Sequence, residues 1–511
     1  LPLGIAVATR TVEQGPRDVA LLYFVNTAGA IAGSLVAGFA LVPRFGLQGT
    51  VLVAATAALA GALVVSFVAL ATRTRAVAFA AVALASFVAL FAGPRWDRDL
   101  LAAGAYKYAP YVAHLDLVSA LKAGTLLFHE DGAAGTVTVR RVAGITSLAI
   151  DGKVDASNGG DMLTQKLLAH LPMLMHDSPS RVAVIGLGSG VTVGAALRHP
   201  AREVEVIEIS REVVRASEFF KKDNGDALTD PRTRLVLGDG RTHLALGGVA
   251  YDVIISEPSN PWMSGMAALF TREFFYLARR RLRPGGLFCQ WAHTYDMSDA
   301  DLRSIVATFT DVFPGAALFL AGEADVLLVG GTEPLDGRLE RIDAAIRRPG
   351  VAADLHAVNV DDTFSLLSLY VAGGRRLAGY SAGAVRQTDD RLALEYSAPS
   401  AIYGRSTNEN LERLLHLRQG EPAPRAITSE AKRAGAREWT NRGRMLLSAE
   451  AFGLAYDSLV RAVELEPGRD ESLDLLERAA GACGRVPDTI RLLERLAAVD
   501  PYNVPARLAL S

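Results

Sequence analysis

Three apolar runs free of charged residues open the chain: Val19 to Val42, Gly49 to Ala71 and Ala76 to Gly93. Each is near the ~20 residues a helix needs to cross a hydrocarbon core, so about three transmembrane helices are predicted over 1–100. Gly29 and Gly33 give the first run a G-x-x-x-G face suited to close helix packing. Leu1 to Thr9 reads as the tail of a further span, and a start at Leu1 is expected of a fragment or processed chain. Arg10, Arg17, Arg73 and Arg75 would flank one side, and Arg44, Arg95, Arg98 and Lys107 the other. The positive-inside count is a tie and gives no orientation.

After Gly93 the period changes. A juxtamembrane linker is expected up to 123. From Gly124 the short runs TLLFHEDG, GTVTVRR and ITSLAIDGK predict a small antiparallel β unit over 124–160. Asp131–Gly132 and Asp151–Gly152 are its turn signals. A helix follows from about Asp161 to His176, with Leu163, Leu167, Leu168 and Leu171 on one face. Four β-branched runs between Arg181 and Trp262, with helical segments between them, read as βαβ units of a parallel sheet. ALFLAG and ADVLLVG, after Phe313, are expected to close that sheet as antiparallel strands. The fold class is a Rossmann-like α/β domain over 161–330.

The remainder is mostly helical. Residues 331–425 read as a mixed extension, where Asp389 and Asp390 suit turns and caps. From 426 the chain is repetitive: Leu465-Glu466-Pro467 recurs 34 residues later as Val499-Asp500-Pro501. That period is the one of tetratricopeptide repeats, which offer a groove to a protein partner. A helical cap on the α/β domain is the alternative.

The chain has 511 residues, too many for one core. Its mean hydropathy of +0.22 comes mainly from the N-terminal runs. A net charge of −2 and the lack of a basic stripe with interleaved aromatics argue against a nucleic-acid partner. Cys289 and Cys483 are the only cysteines, so neither a disulfide framework nor a cysteine zinc site is expected.

The chemistry concentrates at the predicted strand ends. RVAVIGLGSGV closes on Gly186, Gly188 and Gly190, where a backbone can approach a ligand closely. A dinucleotide fingerprint is G-x-G-x-x-G. Here the third glycine comes one position early, which is the pattern of folds that bind S-adenosylmethionine-type nucleosides. Glu208, near the end of EVEVIEIS, suits a ribose diol; NAD sites use the same device. Asp239 and Gly240 follow the third run, and Asp239 can accept an adenine amino proton. Glu257 and Asn260 follow the fourth, in a loop stiffened by Pro258 and Pro261.

Residues from about 124 to 330 resemble the spermidine synthase (polyamine aminopropyltransferase) family. The resemblance rests on the LAIDGKVD turn, the helix ending AHLP, the glycine loop, the EIS and GD strands and the LFTREFF segment, in that order. The layout resembles a bacterial subgroup in which a transporter-like membrane region precedes the synthase domain. The resemblance implies a multi-pass protein of the bacterial inner membrane, in contact with membrane lipid, with its enzyme domain cytoplasmic. It implies decarboxylated S-adenosylmethionine as co-substrate and an amine such as putrescine as acceptor. Gly186, Gly188, Gly190, Glu208, Asp239 and Gly240 would then hold the nucleoside. Glu257 stands where the family has its amine-deprotonating Asp. Gln165, Asn260, Gln290 and Tyr295 are candidate substrate-binding residues, and Asp296 sits beside the last. No metal is required, because the leaving thioether is already activated as a sulfonium.

Several positions depart from the family. Ser189 and Asn260 replace acids, Thr164 replaces a tyrosine, Lys166 a glutamate and Asp155 a glutamine. By Coulomb reasoning the lost carboxylates and the added lysine disfavour a dicationic acceptor. Two other readings follow. One is a methyltransferase using ordinary S-adenosylmethionine, since Asn260-Pro261-Trp262 faintly resembles the loop of amine-methylating enzymes. The other is a non-catalytic nucleoside or polyamine sensor. His170 and His293 are expected to be structural.

Overall fold

The computed structural model describes residues 15–69, 73–112, 116–403, 406–419 and 423–499. The Leu1–Thr9 run and the Asp500-Pro501 half of the repeat lie outside them. Contacts divide the chain into two compact units, Leu1–Arg140 with Ala149–Lys153, and Arg141–Leu148 with Val154–Ser511.

In the first unit the apolar runs are helical. Gly15–Val36 continues through a π turn, Ala37–Leu41, into Val42–Ala69, and Arg73–Ala92 follows. Leu21, Phe24, Ile31 and Phe39 are exposed, the reverse of a water-facing amphipathic helix. Among the described residues one helix, Pro16–Val64, is long and apolar enough to cross a membrane. The sequence pattern predicted about three spans. The first two runs join into one helical path, and the third falls on the 20-residue helix Arg73–Ala92. The joined path breaks at Gly46, whose φ is +69°. There the Asp131 carboxylate accepts the Leu47 N–H at 2.9 Å, which satisfies a backbone donor the break sets free.

That contact also explains a misplaced turn. Strand β1, Thr125–Gly132, runs through the expected Asp131–Gly132 turn and reverses at Ala133–Ala134 instead. Asp131 is occupied by Leu47 and by the Thr136 hydroxyl. Strands β2 (Gly135–Val142), β3 (Ile145–Ile150) and β4 (Lys153–Ser157) follow in a sheet of order β1-β2-β3-β4. The Asp151–Gly152 turn forms as predicted, with both residues at positive φ.

The second unit is built on an eight-stranded sheet. Its parallel part holds β5 (Arg181–Ile185), β6 (Glu203–Glu208), β7 (Thr233–Leu237), β8 (Tyr251–Ser256) and β9 (Leu282–His293). β10 (Ala317–Ala321) and β11 (Asp325–Gly331) add antiparallel strands, as the sequence suggested. The order is β12-β10-β11-β9-β8-β5-β6-β7. The edge strand β12, Tyr370–Gly373, comes from the extension that read as mostly helical. β5 and β8 are wholly apolar or buried along most of their length, as central parallel strands require. One face is sealed by Phe274, Phe275, Phe288, Phe309 and Phe313, with Phe275 edge-on to Phe309 at 5.1 Å.

The strand order reverses at β5, between β6 on one side and β8 on the other. Such a switch point opens a crevice beyond the strand C-termini. The predicted helix is Met162–Met175, with its side chains buried all round. The tail forms two helical hairpins, Ala436–Ser448 with Phe452–Leu465 and Asp470–Cys483 with Val486–Val499. Ala436 to Asp470 and Phe452 to Val486 are each 34 residues, so the sequence period is a structural one. Gly443 lets Leu459 pack against its helix, where an added Cβ would lie 2.4 Å from the Leu459 side chain. The Glu323 carboxylate accepts the Gly453 and Leu454 N–H groups at 3.0 and 3.2 Å, which caps the second tail helix.

Candidate active site

The glycine loop turns out of β5 with Gly186, Gly188 and Gly190 at φ +93°, +52° and +82°. Any other residue would be strained there, and at Gly186 a Cβ would meet the Glu257 carbonyl oxygen at 2.5 Å. Asn224 braces the loop from behind, its Nδ2 donating to the Ser189 carbonyl at 2.8 Å. Nothing in the sequence marked Asn224. Gly194 makes room for it: an added Cβ would lie 2.3 Å from the Asn224 carbonyl oxygen.

Glu208 ends β6 and is 7 % exposed. Its carboxylate accepts the Leu187 N–H at 2.9 Å and the Ser210 N–H at 2.8 Å, one on each oxygen. The side chain is therefore fixed against the glycine loop, with lone pairs left for two hydroxyl donors. Burial pushes its pKa up against the pull of these N–H groups, and nearby Asp155 adds to the rise. Asp239 is different. It is exposed and caps the helix Gly240–Leu246, accepting the Thr242 N–H at 2.6 Å. Gly240 is buried, and an added Cβ would lie 2.5 Å from the Ile185 side chain.

Glu257 lies one residue past β8, and its N–H donates to the Ile185 carbonyl at 2.9 Å. Burial pushes its pKa up to about 8; the Thr192 hydroxyl opposes the rise, and Asp161, Asp325 and Asp155 reinforce it. Four carboxylates thus share one region. Asp155, on β4, accepts the Ser259 hydroxyl at 2.5 Å. Asp161 precedes the helix Met162–Met175 and accepts the Ser157 N–H at 2.7 Å, the Ser157 hydroxyl and the Gln165 amide. Asp325 opens β11 opposite His293, and accepts from Thr164 Oγ1 at 2.7 Å and Trp291 Nε1 at 3.0 Å. Asp161 and Asp325 were not among the expected site residues.

These positions correct the Coulomb argument drawn from the sequence. Two carboxylates that were not counted stand near Glu257, so the site keeps its negative character despite Ser189 and Asn260. Lys166 adds no free charge, because its ammonium pairs with Asp354 at 2.6 Å. His170 joins the same buried network, bonded to Asp354 and to His199 at 2.9 Å each. The structural reading of His170 holds. Thr164, in place of a tyrosine, holds Asp325.

The expected substrate-binding residues divide. Gln165 points both amide hydrogens at protein acceptors, Ser157 O at 2.8 Å and Asp161 Oδ2 at 3.1 Å, and its oxygen accepts from Ser189. It is a bracket for Asp161 rather than an open ligand-binding group. Asn260 donates to His293 Nε2 at 2.8 Å, while His293 Nδ1 meets the Tyr295 carbonyl at 2.6 Å. The carbonyl can only accept, so Nδ1 carries a proton. Tyr295 stacks on His293 at 4.4 Å and its phenol hydrogen-bonds Asn260. Burial raises that phenol's pKa well above the usual range. Gln290 stands beside Ser256 in the register of β8 and β9. Both are buried, and Gln290 Oε1 and Ser256 Oγ have no protein partner. Buried polar atoms are rarely left unpaired, so two unsatisfied groups side by side on adjoining strands mark a place where a polar ligand fits.

The spermine/spermidine synthase domain model matches residues 161–322. The chain carries a spermine/spermidine synthase domain. The chain is 33 % identical over 171 residues to putrescine N-methyltransferase 2 of Nicotiana attenuata, covering 33 % of this chain and 46 % of that protein. It is 32 % identical over 213 residues to polyamine aminopropyltransferase 2 of Pseudomonas aeruginosa, covering 39 % and 61 %. The chain thus spans about half the length of the curated relatives it matches. A crystal structure of spermidine synthase from Thermotoga maritima aligns with a TM-score of 0.40 and 17 % identity, over 57 % of this chain and 88 % of that one. The glycine loop, Glu208 and Glu257 all fall within the synthase domain; Asp155 precedes it and Asp325 follows it.

Proposed function

We propose that this protein transfers the aminopropyl group of decarboxylated S-adenosylmethionine to an amine such as putrescine. The observation that carries the reading is Glu257. It is a carboxyl of raised proton affinity at a strand end, beside a glycine loop and Glu208, and among Asp155, Asp161 and Asp325. The nucleoside supplies an alkyl carbon on an already activated sulfonium.

The residues of the chain do the rest. The loop Gly186–Gly190 and Glu208 hold the nucleoside. Asp155, Asp161 and Asp325 favour a cationic acceptor. Glu257 takes the proton that must leave the amine before nitrogen attacks carbon, and the sulfur departs with the C–S electron pair. A primary ammonium has a pKa of ~10.4, so passing its proton to an ordinary carboxylate costs roughly 8 kcal/mol. With Glu257 near 8 the cost falls to about 3 kcal/mol.

The similarity to a putrescine N-methyltransferase supports a second reading, methyl transfer from ordinary S-adenosylmethionine to the same kind of acceptor. We also propose that the helix Pro16–Val64 anchors the protein in a lipid bilayer with the enzyme domain cytoplasmic, and that the 34-residue hairpins are tetratricopeptide-like and bind a protein partner.

The test incubates the full chain with putrescine and either nucleoside and identifies the products by mass. Methylthioadenosine formed only with the decarboxylated nucleoside and amine supports aminopropyl transfer. S-adenosylhomocysteine from the ordinary form replaces it with methyl transfer. Tight nucleoside binding without either product points to a sensor. Glu257→Gln should retain nucleoside binding and lose transfer; full activity in that variant removes Glu257 as the base.

A further inference from the structure

One buried hydroxyl lies between the base and the backbone of the helix Met162–Met175. Thr192 is 1 % exposed and sits in the first turn after the glycine loop. Its Oγ1 lies 2.7 Å from Glu257 Oε2 and 2.9 Å from the Gln165 carbonyl oxygen. Both neighbours are acceptors when Glu257 is ionised, yet a hydroxyl has one hydrogen to give. The two short contacts are both satisfied only when Glu257 carries a proton on Oε2. Glu257 then donates to Thr192 Oγ1, and Thr192 donates to the Gln165 carbonyl.

We propose that Thr192 is a positioning residue whose hydroxyl turns between Glu257 and the Gln165 carbonyl as Glu257 loses and gains its proton. This rests on Glu257 as the base of the proposed transfer. With Glu257 ionised, the hydroxyl donates to the carboxylate and holds Oε2 in place. When Glu257 receives the amine proton, the hydroxyl rotates to the carbonyl and accepts the new O–H. The hydroxyl proton never leaves Thr192, and the amine proton ends on Glu257. The main-chain carbonyl of a buried helix gives the rotor a fixed second resting place, so no water is needed to serve either charge state. The charged groups facing Glu257 are Asp155, Asp161 and Asp325; none is a cation, which leaves the hydroxyl as the group that favours ionisation.

The test compares Thr192→Val, which keeps the shape and removes the hydroxyl, with Thr192→Ser, which keeps the hydroxyl. In the full chain, the acidic limb of the pH–rate profile for amine-dependent transfer should move up by about one pH unit in Thr192→Val, the size expected for losing one hydrogen bond to a charged group. Thr192→Ser should restore the wild-type limb, and methylthioadenosine binding should be unchanged in both. A second readout does not need turnover. Infrared difference titration, with the Glu257 carboxyl band assigned by its loss in Glu257→Gln, should show the same upward shift in Thr192→Val. A band or limb that stays in place in Thr192→Val overturns the proposal. If the wild type transfers nothing, the infrared titration still decides the role of Thr192, while the proposed reaction fails separately.

Discussion

Replacing Glu257 by glutamine should make the ligand-free protein more stable, and only above a definite pH. The folded state raises the Glu257 pKa from 4.5 to about 8. Between these values the native state holds a proton that the unfolded chain releases, so stability falls as pH rises through this window. Below about pH 4.5 both states are protonated and the group costs nothing. Above about pH 8 both are ionised and the full cost is felt. At about 1.36 kcal/mol per pH unit the cost has a ceiling near 5 kcal/mol, and solvent reaching the crevice lowers it to about 3 kcal/mol. Glutamine is neutral throughout and can still hydrogen-bond Thr192. A gain of that size in a domain of this length corresponds to a Tm increase of about 5–10 °C. Melting curves followed by tryptophan fluorescence at a series of pH values, for the wild type and Glu257→Gln, would measure it. The two Tm curves should meet near pH 4.5 and separate towards pH 9. Parallel curves across that range would refute the placement of an ionisable Glu257 among Asp155, Asp161 and Asp325.

Two further outcomes test the remaining geometry. Asp325→Asn removes one of the carboxylates that reinforce the raised pKa of Glu257. It should raise the KM for a diamine roughly tenfold, as expected for one charge-assisted hydrogen bond, and move the acidic limb of the rate profile to lower pH. A KM unchanged from wild type would remove Asp325 from the acceptor side. Gly194→Ala drives a methyl group onto the Asn224 carbonyl oxygen, 2.3 Å away. It should cost about 1–3 kcal/mol in urea unfolding and weaken methylthioadenosine binding, because Asn224 also braces Ser189. Wild-type values for both would show that the loop does not depend on this brace.

The parts of the site that were legible in the sequence are those adjacent to a strand. Gly186–Gly190, Glu208 and Glu257 follow β-branched runs directly, and local periodicity fixes where such runs end. The 34-residue repeat and the antiparallel strands β10 and β11 were legible for the same reason. Asp131–Gly132 misled because its turn chemistry was real but Asp131 was claimed by a helix break 84 residues away. The three apolar runs fall on helices, Gly15–Val36 and Val42–Ala69 on either side of a π turn and Arg73–Ala92 after them, and Gly46 breaks the path between the first two runs.

What the sequence determined by itself was the α/β sheet and the glycine loop and carboxylates at its strand ends, because these follow from short-range patterns of side chains. The tertiary structure alone decided the electrostatics. Asp161 and Asp325 reach Glu257 from a helix start and a returning strand, Lys166 is neutralised by Asp354 from 188 residues away, and Thr192 meets Glu257 across 65 residues. Charge acts through space rather than along the chain, so the sign and strength of this site exist only once the fold has brought those residues together.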